Sequence, residues 1–295
     1  MADVSAMGTM FPEEVVAQIM TKVTGHSALA KLSGSIPVPF TGTDVFTFQL
    51  DKEAALVAES GKKGVGGLTL SPVKIAPVKI EYGSRVTDEF MNATEEKQLD
   101  ILTSYTDGCS KKFARALDIM AFHGVNPRDG VASDLISGKS FDTLVTNKVT
   151  YAAATPDDNV DDAIALIGDT SDVNGIAMAP AFKNALAKMK NTTGARLYPE
   201  LGWGSTLSTI QGLPADSNST VSFGSSKDRA VVGDFQNRFK WGYAKTMTFE
   251  IIPYGDPDNT GIDLKGSNQI YLRCEAYLGF GILDASGFAR IEATA

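Results

Sequence analysis

The stretch ESGKKGVGGLTL, residues 59–70, decides which class of protein the rest of the chain is compared with. Its two lysines, Lys62 and Lys63, stand among four glycines, an arrangement that suits either a phosphate-binding loop or a flexible hairpin tip. A phosphate-binding loop has Lys-Ser or Lys-Thr after its second glycine and leads into a helix. Here the lysines precede the last two glycines, and Leu68 begins a strand-like pattern. The stretch therefore predicts a hairpin tip.

Alternating side chains on both sides of this tip predict two long antiparallel strands. Upstream, Phe46, Phe48 and Leu50 recur at every second position, and residues 71–82 alternate again downstream. We assign the hairpin to residues 43–86, with arms that reach roughly 40–50 Å at ~3.3 Å per residue. An isolated two-stranded ribbon is only marginally stable in water. Something outside the ribbon must therefore cover its apolar face.

The downstream arm changes its apolar face midway. It contains two PVKI copies five residues apart. Side chains at an odd spacing in a strand lie on opposite faces, so the apolar side chains of the two copies point to opposite faces. Val73 and Ile75 share one face, whereas Val78 and Ile80 share the other. A bulge or a sharp twist near residues 76–77 reconciles the two halves, and the prolines favour an edge strand.

The composition is that of an ordinary globular protein, with 295 residues of which 43% are hydrophobic and 21% charged. The net charge of −8 argues against a dedicated nucleic-acid-binding role, which needs a basic surface. Cys109 and Cys274 fit neither a disulfide framework nor a zinc spacing, so we interpret them as buried, reduced thiols. The first residues lack a signal-peptide pattern, and no apolar run approaches the ~20 residues of a membrane span. We expect a soluble, cytoplasmically made protein with no membrane partner.

The remaining elements mix helices and strands without regular alternation. A helical pattern opens at Pro12, and prolines make residues 33–39 extended, so residues 1–42 read as an arm. A stripe of apolar residues at steps of three and four predicts a helix at 88–122. Four acids in the first turns predict a helix at 156–167, and a first-turn proline predicts one at 180–189. Apolar runs and alternation predict strands at 175–179, 247–252 and 269–277. This order indicates the α+β class.

Candidate catalytic and metal-binding residues are few. DPDNTG, residues 256–261, resembles the start of a calcium loop, but Ser267 stands where the closing glutamate belongs. We interpret it as an aspartate-rich turn, with a weakly bound cation as the alternative. His26 and His123 lie near helix ends without a local partner for acid–base catalysis. The sequence predicts no cofactor, no metal and no catalytic site.

Several short motifs follow one another in an order that one structural family shares. They are GIAMAPAFKNALAKMK at 175–190, TGARLY at 193–198, TIQGLP at 209–214, VGDF at 232–235, NQIYLRCE at 268–275 and FARI at 288–291. In these motifs and in the order of its parts, the chain resembles the major capsid protein family of tailed bacteriophages, of the Hong Kong ninety-seven type. TIQGLP departs from the family pattern, because Thr209 replaces a leucine and alanine follows the proline. The similarity runs over about residues 43–292.

The resemblance implies a shell subunit with four parts. They are an N-terminal arm at 1–42, an extended-loop β-hairpin at 43–86, a peripheral domain with a spine helix at 87–150 and 226–295, and an axial domain at 151–225. The hairpin is expected to lie across a neighbouring subunit, with glycines that let its tip adapt to different neighbours. The inter-subunit contacts expected from it are Phe46, Phe48, Leu50, Gly61, Gly64, Gly66, Gly67, Val78 and Ile80.

The implied function is that of a major capsid protein. Identical subunits would assemble as hexamers and pentamers into the icosahedral head shell of a tailed phage, enclosing double-stranded DNA without binding it specifically. Assembly in the host cytoplasm, residence in the virion, and scaffold, portal and decoration proteins as partners follow from the same resemblance. The sequence leaves open whether a scaffold is needed.

A few relatives cross-link their subunits through a lysine, an asparagine and a glutamate. By position, Lys62 or Lys63 would be the lysine, Asn268 the acceptor and Glu275 the base. A lysine nucleophile must be neutral, so burial would have to lower its pKa. The alternative is structural, with Asn268 capping a turn and Glu275 pairing with Arg273.

Two other functions stay open at this point. An encapsulin-type compartment would keep the fold and load cargo enzymes, and the helix at Pro12–Thr24 could imitate its cargo-docking helix. A soluble α+β enzyme of unknown class is the third hypothesis, and a monodisperse monomer would favour it.

Overall fold

The computed structural model describes residues 26–294 except 51, 53, 58, 90–94, 169 and 170. The helix predicted at Pro12–Thr24 therefore lies outside the described residues. The described helices are α1 (Ala28–Leu32), α2 (Glu95–His123), α3 (Phe141–Leu144), α4 (Pro156–Ile167), α5 (Pro180–Lys188) and α6 (Phe235–Arg238). The strands are β1 (Thr43–Leu50), β2 (Leu68–Ile75), β3 (Val78–Thr87), β4 (Lys148–Thr150), β5 (Gly175–Met178), β6 (Thr209–Ile210), β7 (Leu213–Ser217), β8 (Asp228–Gly233), β9 (Phe239–Ile252), β10 (Gln269–Ile282) and β11 (Phe288–Glu292). Among these helices, none combines the length and apolar character that crossing a bilayer requires.

The predicted hairpin is present, but its paired part is shorter than expected. β1 and β2 form a two-stranded antiparallel sheet, in which Thr43 lies opposite Ile75 and Leu50 lies opposite Leu68. Each strand has 8 residues, which span about 27 Å at ~3.4 Å per residue. The 43–86 range also contains β3, and β3 pairs with β10 instead of with β1.

The chain leaves the hairpin at Ala76 and Pro77, where the sequence predicted a change of apolar face. Proline has no N–H to donate to a ladder, so pairing is interrupted there. β3 then joins β10 and β9 in a three-stranded sheet. Val78 and Ile80, predicted as inter-subunit contacts, are half-buried and pack against the main core of their own chain. The reason is that the odd spacing of the two PVKI copies turns the apolar side chains of the second copy to the other face of the strand.

The long helix α2 packs on this three-stranded sheet along the predicted apolar stripe. The sequence predicted a helix over 88–122, and the described helix begins at Glu95 and ends at His123. Its buried stripe consists of Leu102, Cys109, Phe113, Leu117 and Met120, with Tyr105 half-buried. Gly124 then adopts a left-handed φ of 66°, and its N–H donates to the Met120 carbonyl at 2.9 Å. This is the expected glycine C-terminus of a helix.

A six-stranded sheet with the order β4-β11-β8-β5-β7-β6 forms the centre of the rest of the chain. Helices α4 and α5, both predicted from the sequence, cover one of its faces. Helix α1 and the end of α2 cover the other. Ile176 and Ala177, neighbours on β5, belong to these two separate cores. Helices and strands are therefore mixed as the α+β assignment predicted.

The described part of the predicted arm packs on the chain's own body. The buried carboxylate of Asp118, on α2, accepts hydrogen bonds from the N–H of Ala28 at 2.9 Å and of Leu29 at 3.2 Å. It also accepts from the hydroxyls of Ser27 and Thr220. These bonds satisfy the N–H groups at the start of α1 and join it to α2. Residues 28–32 therefore contribute to the main core.

Candidate assembly surface

One face of the β1–β2 hairpin is apolar and exposed. Phe46 and Phe48 lie two residues apart on β1, so both point to the same side of the hairpin. Phe48 is directly opposite Leu70 on β2, and their exposed fractions are 67% and 49%. Leu68 lies on the same side and is also exposed. This continuous apolar strip corresponds to the face that the sequence predicted to need an external cover.

The described residues of the glycine-rich tip beyond the strip are exposed as well. Gly61, Gly64, Gly66 and Gly67 all lie on this exposed segment, as do Lys62 and Lys63. Its apolar side chains Leu56 and Val65 are also exposed. Within the tip, Ser60 has a left-handed backbone conformation, with φ at 66°.

The base of the hairpin is fixed by glycines on the three-stranded sheet. Ile75, the last residue of β2, is fully buried. A Cβ added to Gly279 or Gly281 would lie 3.1 or 2.9 Å from its side chain. A Cβ at Gly242 would lie 1.9 Å from the carbonyl oxygen of Ile36. Glycine at these positions lets residues 35–38 and the end of β2 lie directly on the sheet, which sets the direction of the hairpin.

The asparagine and the glutamate proposed for cross-linking are not adjacent in one copy. Asn268 lies just before β10 in a left-handed conformation with φ at 52°, as expected for a residue that ends a turn. Glu275 lies on β10, seven residues later in the chain, which corresponds to about 23 Å at ~3.3 Å per residue. Its carboxylate is 2.6 Å from the Lys79 ammonium and 3.3 Å from the Arg273 guanidinium. A reaction would need Glu275 from a further copy.

The aspartate-rich turn at 256–261 already contains a cation from the chain itself. The guanidinium of Arg85 lies 2.7 Å from Asp256 and 2.5 Å from Asp258. Its Nη2 also donates to the Thr260 hydroxyl. These contacts support the interpretation of this segment as a turn, with Arg85 in place of a metal ion. Arg85 is about 170 residues away in sequence, which local motif analysis does not connect.

His123 has a partner that the sequence did not reveal. Its Nε2 donates to the carbonyl oxygen of Thr220 at 2.8 Å, and its Nδ1 is 2.9 Å from an oxygen of Asp142. A carbonyl oxygen only accepts, so Nε2 carries a hydrogen. If Nδ1 also donates to the Asp142 carboxylate, both ring nitrogens carry hydrogen and the imidazole is protonated. Burial lowers the pKa of His123, but the hydrogen bond and the charge of Asp142 outweigh it and raise the pKa overall. The imidazolium form is therefore favoured.

Judged by distance alone, three side chains could hold a metal ion. Ligand atoms of His123, Asp142 and Asp228 all lie within 4.8 Å of one another. The guanidinium of Arg290 occupies the same space, with Nη2 at 2.8 Å from Asp142 and 3.0 Å from Asp228. Two like cations do not share such a site without a large electrostatic cost. The cluster therefore fits a buried ion-pair network that joins the end of α2 to the six-stranded sheet.

Cys109 and Cys274 lie together in a small apolar cluster and are both buried. A hydrogen bond with Cys109 and burial raise the pKa of the Cys274 thiol. A protonated, buried thiol is a poor nucleophile. The structure confirms the prediction of buried, reduced cysteines.

Comparisons with known proteins agree with these features. The model of the Phage capsid family matches residues 8–293. A chain from Mycobacterium phage Ogopogo is 31% identical, with a TM-score of 0.76, over 91% of this chain and 92% of that one. A chain from Gordonia phage Cozz is 24% identical, with a TM-score of 0.73, over 90% and 86%. No curated protein matches the chain.

The capsid of an empty GTA particle has the same fold, with 15% identity and a TM-score of 0.64 over 92% of this chain and 90% of that one. The family match covers both sheets, the long helix and the exposed hairpin. The motifs quoted above lie within it. By this match the chain belongs to the phage capsid family, and its role is that of a major capsid protein.

Proposed function

We propose that this capsid protein builds its shell by laying the β1–β2 hairpin across a neighbouring copy. The observation that carries the proposal is the exposed apolar strip formed by Phe46, Phe48, Leu68 and Leu70. Burial of apolar surface is favourable by roughly 25 cal/mol per Å². A strip of this kind on a narrow two-stranded ribbon gains this energy only through a partner. Leu50 belongs to the same strand face and is included in the contact.

The glycines of the tip extend the proposal. Gly61, Gly64, Gly66 and Gly67 allow the segment beyond the strands to adopt different backbone angles at a low cost. One sequence then fits the different neighbour angles of hexamers and pentamers, which together close an icosahedral head. In this arrangement residues 87–150 and 226–295 form the peripheral domain and residues 151–225 form the axial domain. The β1–β2 pairing ends at Ile75, which supports an extended loop that ends near this residue.

The head would enclose double-stranded DNA of a tailed phage without binding it specifically. The net charge of −8 supports this, because a specific or tight grip on DNA needs a basic surface. Assembly would take place in the host cytoplasm, and the protein would remain in the virion. Scaffold, portal and decoration proteins are further partners of this proposal. The similarity to phage proteins favours a head shell over an encapsulin-type compartment.

Expression of the chain alone, followed by sedimentation and negative-stain microscopy, tests the proposal. We expect rings or closed shells, with an absorbance ratio that reports any enclosed nucleic acid. Particles that contain a second protein instead of nucleic acid would favour a cargo compartment. A monodisperse monomer of 31.3 kDa at micromolar concentration would contradict assembly by this surface.

A further inference from the structure

The two cysteines of the chain lie on different elements that pack together. Cys109 is in the middle of α2, and Cys274 is in the first half of β10. Both belong to one small apolar cluster, whose other buried members are Phe113, Met247 and Ala276. The exposed fractions of the cysteines are 1% and 0%. The pair therefore lies in the buried contact between the long helix and the three-stranded sheet.

The helix and the strand advance in matching steps, which places the two cysteines opposite each other. Tyr105 lies one turn before Cys109, and its hydroxyl donates to the carbonyl oxygen of Leu272 at 2.8 Å. Leu272 in turn lies two residues before Cys274 on β10. One helical turn advances about 5.4 Å, and two strand residues advance about 6.8 Å. A step of one turn on α2 therefore nearly matches a step of two residues on β10.

The same correspondence continues on both sides of the pair. Leu102, two turns before Cys109, packs in one cluster with Ile270. Phe113, one turn after Cys109, packs in one cluster with Ala276. The two thiols also form a hydrogen bond with each other. Sulfur atoms in contact between two facing elements are the starting geometry that a disulfide requires.

The surroundings of the protein decide whether this pair is reduced or oxidised. Inside a cell, glutathione and thioredoxin keep thiols reduced, whereas disulfides form and persist outside it. The hydrogen bond with Cys109 and burial hold the Cys274 thiol in its protonated form, which reacts slowly with oxidants. A shell protein that is made in the cytoplasm and then carried in a released virion passes from the first environment to the second.

We propose that Cys109 and Cys274 are a redox modification site, which is reduced during assembly and is oxidised by a peroxide to a disulfide between α2 and β10 in the released particle. This inference rests on the proposed assembly in the cytoplasm and residence in the virion. The bond lies within one copy, so it is separate from the contacts between copies. It adds a covalent link inside the subunit after the shell has been built.

The oxidation balances with one molecule of hydrogen peroxide for each pair. One thiol loses its proton, and its sulfur attacks the O–O bond, which gives a sulfenic acid and one water. The sulfur of the facing cysteine then attacks the sulfenic sulfur. The S–S bond forms, and the hydroxyl leaves with the remaining proton as a second water. The two sulfurs lose two electrons, which the peroxide gains. Because both thiols are buried, the reaction proceeds during local openings and is slow.

The disulfide stabilises the subunit because it closes a long loop. Residues 109–274 include every strand of the six-stranded sheet except β11. Closing a loop of this length lowers the conformational entropy of the unfolded chain, which favours the folded state. We expect the apparent melting temperature to rise by about 5 °C or more on oxidation.

Thiol counting, peptide mapping and thermal melts test the inference. Particles purified under a reducing agent are freed of it, incubated with or without excess hydrogen peroxide, denatured and alkylated. Without peroxide we expect both thiols of each chain to be alkylated. With peroxide we expect neither, together with a linked peptide pair that a reducing agent separates. Cys109→Ala and Cys274→Ala are the matched controls, because each keeps one buried thiol and all methionines, which peroxide also oxidises. Neither control should gain melting temperature, and two are used so that a folding defect in one does not remove the comparison.

Recovery of both thiols after prolonged exposure to peroxide, or higher oxidation of the cysteines without a linked peptide pair, would overturn the modification site. A linked pair with an unchanged or lower melting temperature would overturn its stabilising role. The same treatment of F46S/F48S, a variant of the exposed strip that is expected to remain a free subunit, separates this inference from the shell proposal. A disulfide in that subunit but not in particles would overturn the role in the virion. If the unmodified chain forms no particles, the shell proposal fails, whereas the geometry of the cysteine pair is still tested in the subunit.

Discussion

Phe48 lies directly across the hairpin from Leu70, and both side chains face solvent rather than the body of the chain. Cross-strand apolar pairs of this kind stabilise a sheet when one face is covered. In a single copy the pair contributes little to folding. Its energetic value depends on what packs on it.

Substitution of the strip should separate assembly from folding. F46S/F48S is expected to leave the unfolding free energy of the subunit within about 0.5 kcal/mol, because exposed positions tolerate change. The yield of particles should fall at least about tenfold, because the aromatic contacts are lost. Sedimentation measures the yield and denaturant titration measures stability.

The opposite face of β2 provides the control for this experiment. Thr69→Ala and Ser71→Ala lie on the alternate side of the same strand and are exposed. They should assemble normally. Equal loss of assembly in the control and in F46S/F48S would show that the apolar face has no special role.

Gly242→Ala should destabilise the subunit. The new methyl group would lie 1.9 Å from the Ile36 carbonyl oxygen, so the segment that crosses the sheet must move. Overpacking of this type costs about 1–3 kcal/mol. Gly34→Ala is the matched control, because an added Cβ there meets nothing within 4 Å. Equal denaturation midpoints for the two variants would contradict the proposed role of the glycine.

Asp118→Ala should release α1 from the body of the chain. The N–H groups of Ala28 and Leu29 lose their acceptor in a buried place, which costs roughly 2–4 kcal/mol. Hydrogen exchange should accelerate in residues 28–32 more than in β9 or β10. Asp100→Ala, at an exposed position of the same helix, should change neither quantity. Uniform acceleration across the chain would argue against a local attachment.

The free energy of unfolding should fall as the pH rises from about 5 to 8. Burial raises the pKa of Asp228 to about 7, and the hydrogen bond and charge of Asp142 add to this while Arg290 opposes it. A carboxyl whose pKa is raised on folding contributes stability that is present below its ordinary value, 3.8, and is lost as the pH passes about 7. His123, with its raised pKa, acts in the same direction above 6.5.

Denaturant titrations at several pH values measure how the free energy of unfolding depends on pH. The assembly-deficient F46S/F48S subunit is used, so that assembly does not contribute to the measured stability. His123→Gln should flatten the upper part of the profile, because glutamine does not titrate. A stability that increases between pH 6 and 8, or an unchanged slope in His123→Gln, would show that the network does not bind protons as described.

Denaturing gels of assembled particles should show one band near 31.3 kDa. The reason is that the Glu275 carboxylate is already paired with Lys79 and Arg273 and would have to leave both partners to reach a lysine of another copy. A ladder of covalent multimers would reverse this expectation. Loss of the ladder in Lys62→Arg or Lys63→Arg would then identify the lysine.

Much of the fold was predictable because its signals are local. First-turn acids indicated α4, a first-turn proline indicated α5, and steps of three and four residues indicated the buried side of α2. The two PVKI copies predicted a change of face at residues 76–77, and the chain does change sheets there. What the pattern did not reveal is that β3 leaves the hairpin altogether, because pairing with β10 is a choice between distant partners.

The partners of single charged groups were not predictable in the same way. Arg85 pairs with Asp256 in the 256–261 turn, and Asp142 pairs with His123. No local sequence motif links the two members of either pair.

The sequence by itself determined the periodic elements, the exposed character of the glycine-rich tip and the family of the chain. These depend on spacing along the backbone, which needs no knowledge of what packs against it. The tertiary structure alone decided which apolar residues pack against the core of their own copy and which stay exposed. Val78 and Ile80 are covered by their own core, whereas Phe46 and Phe48 are not. Burial is a property of distant chain segments brought together, so only the folded chain distinguishes the two pairs.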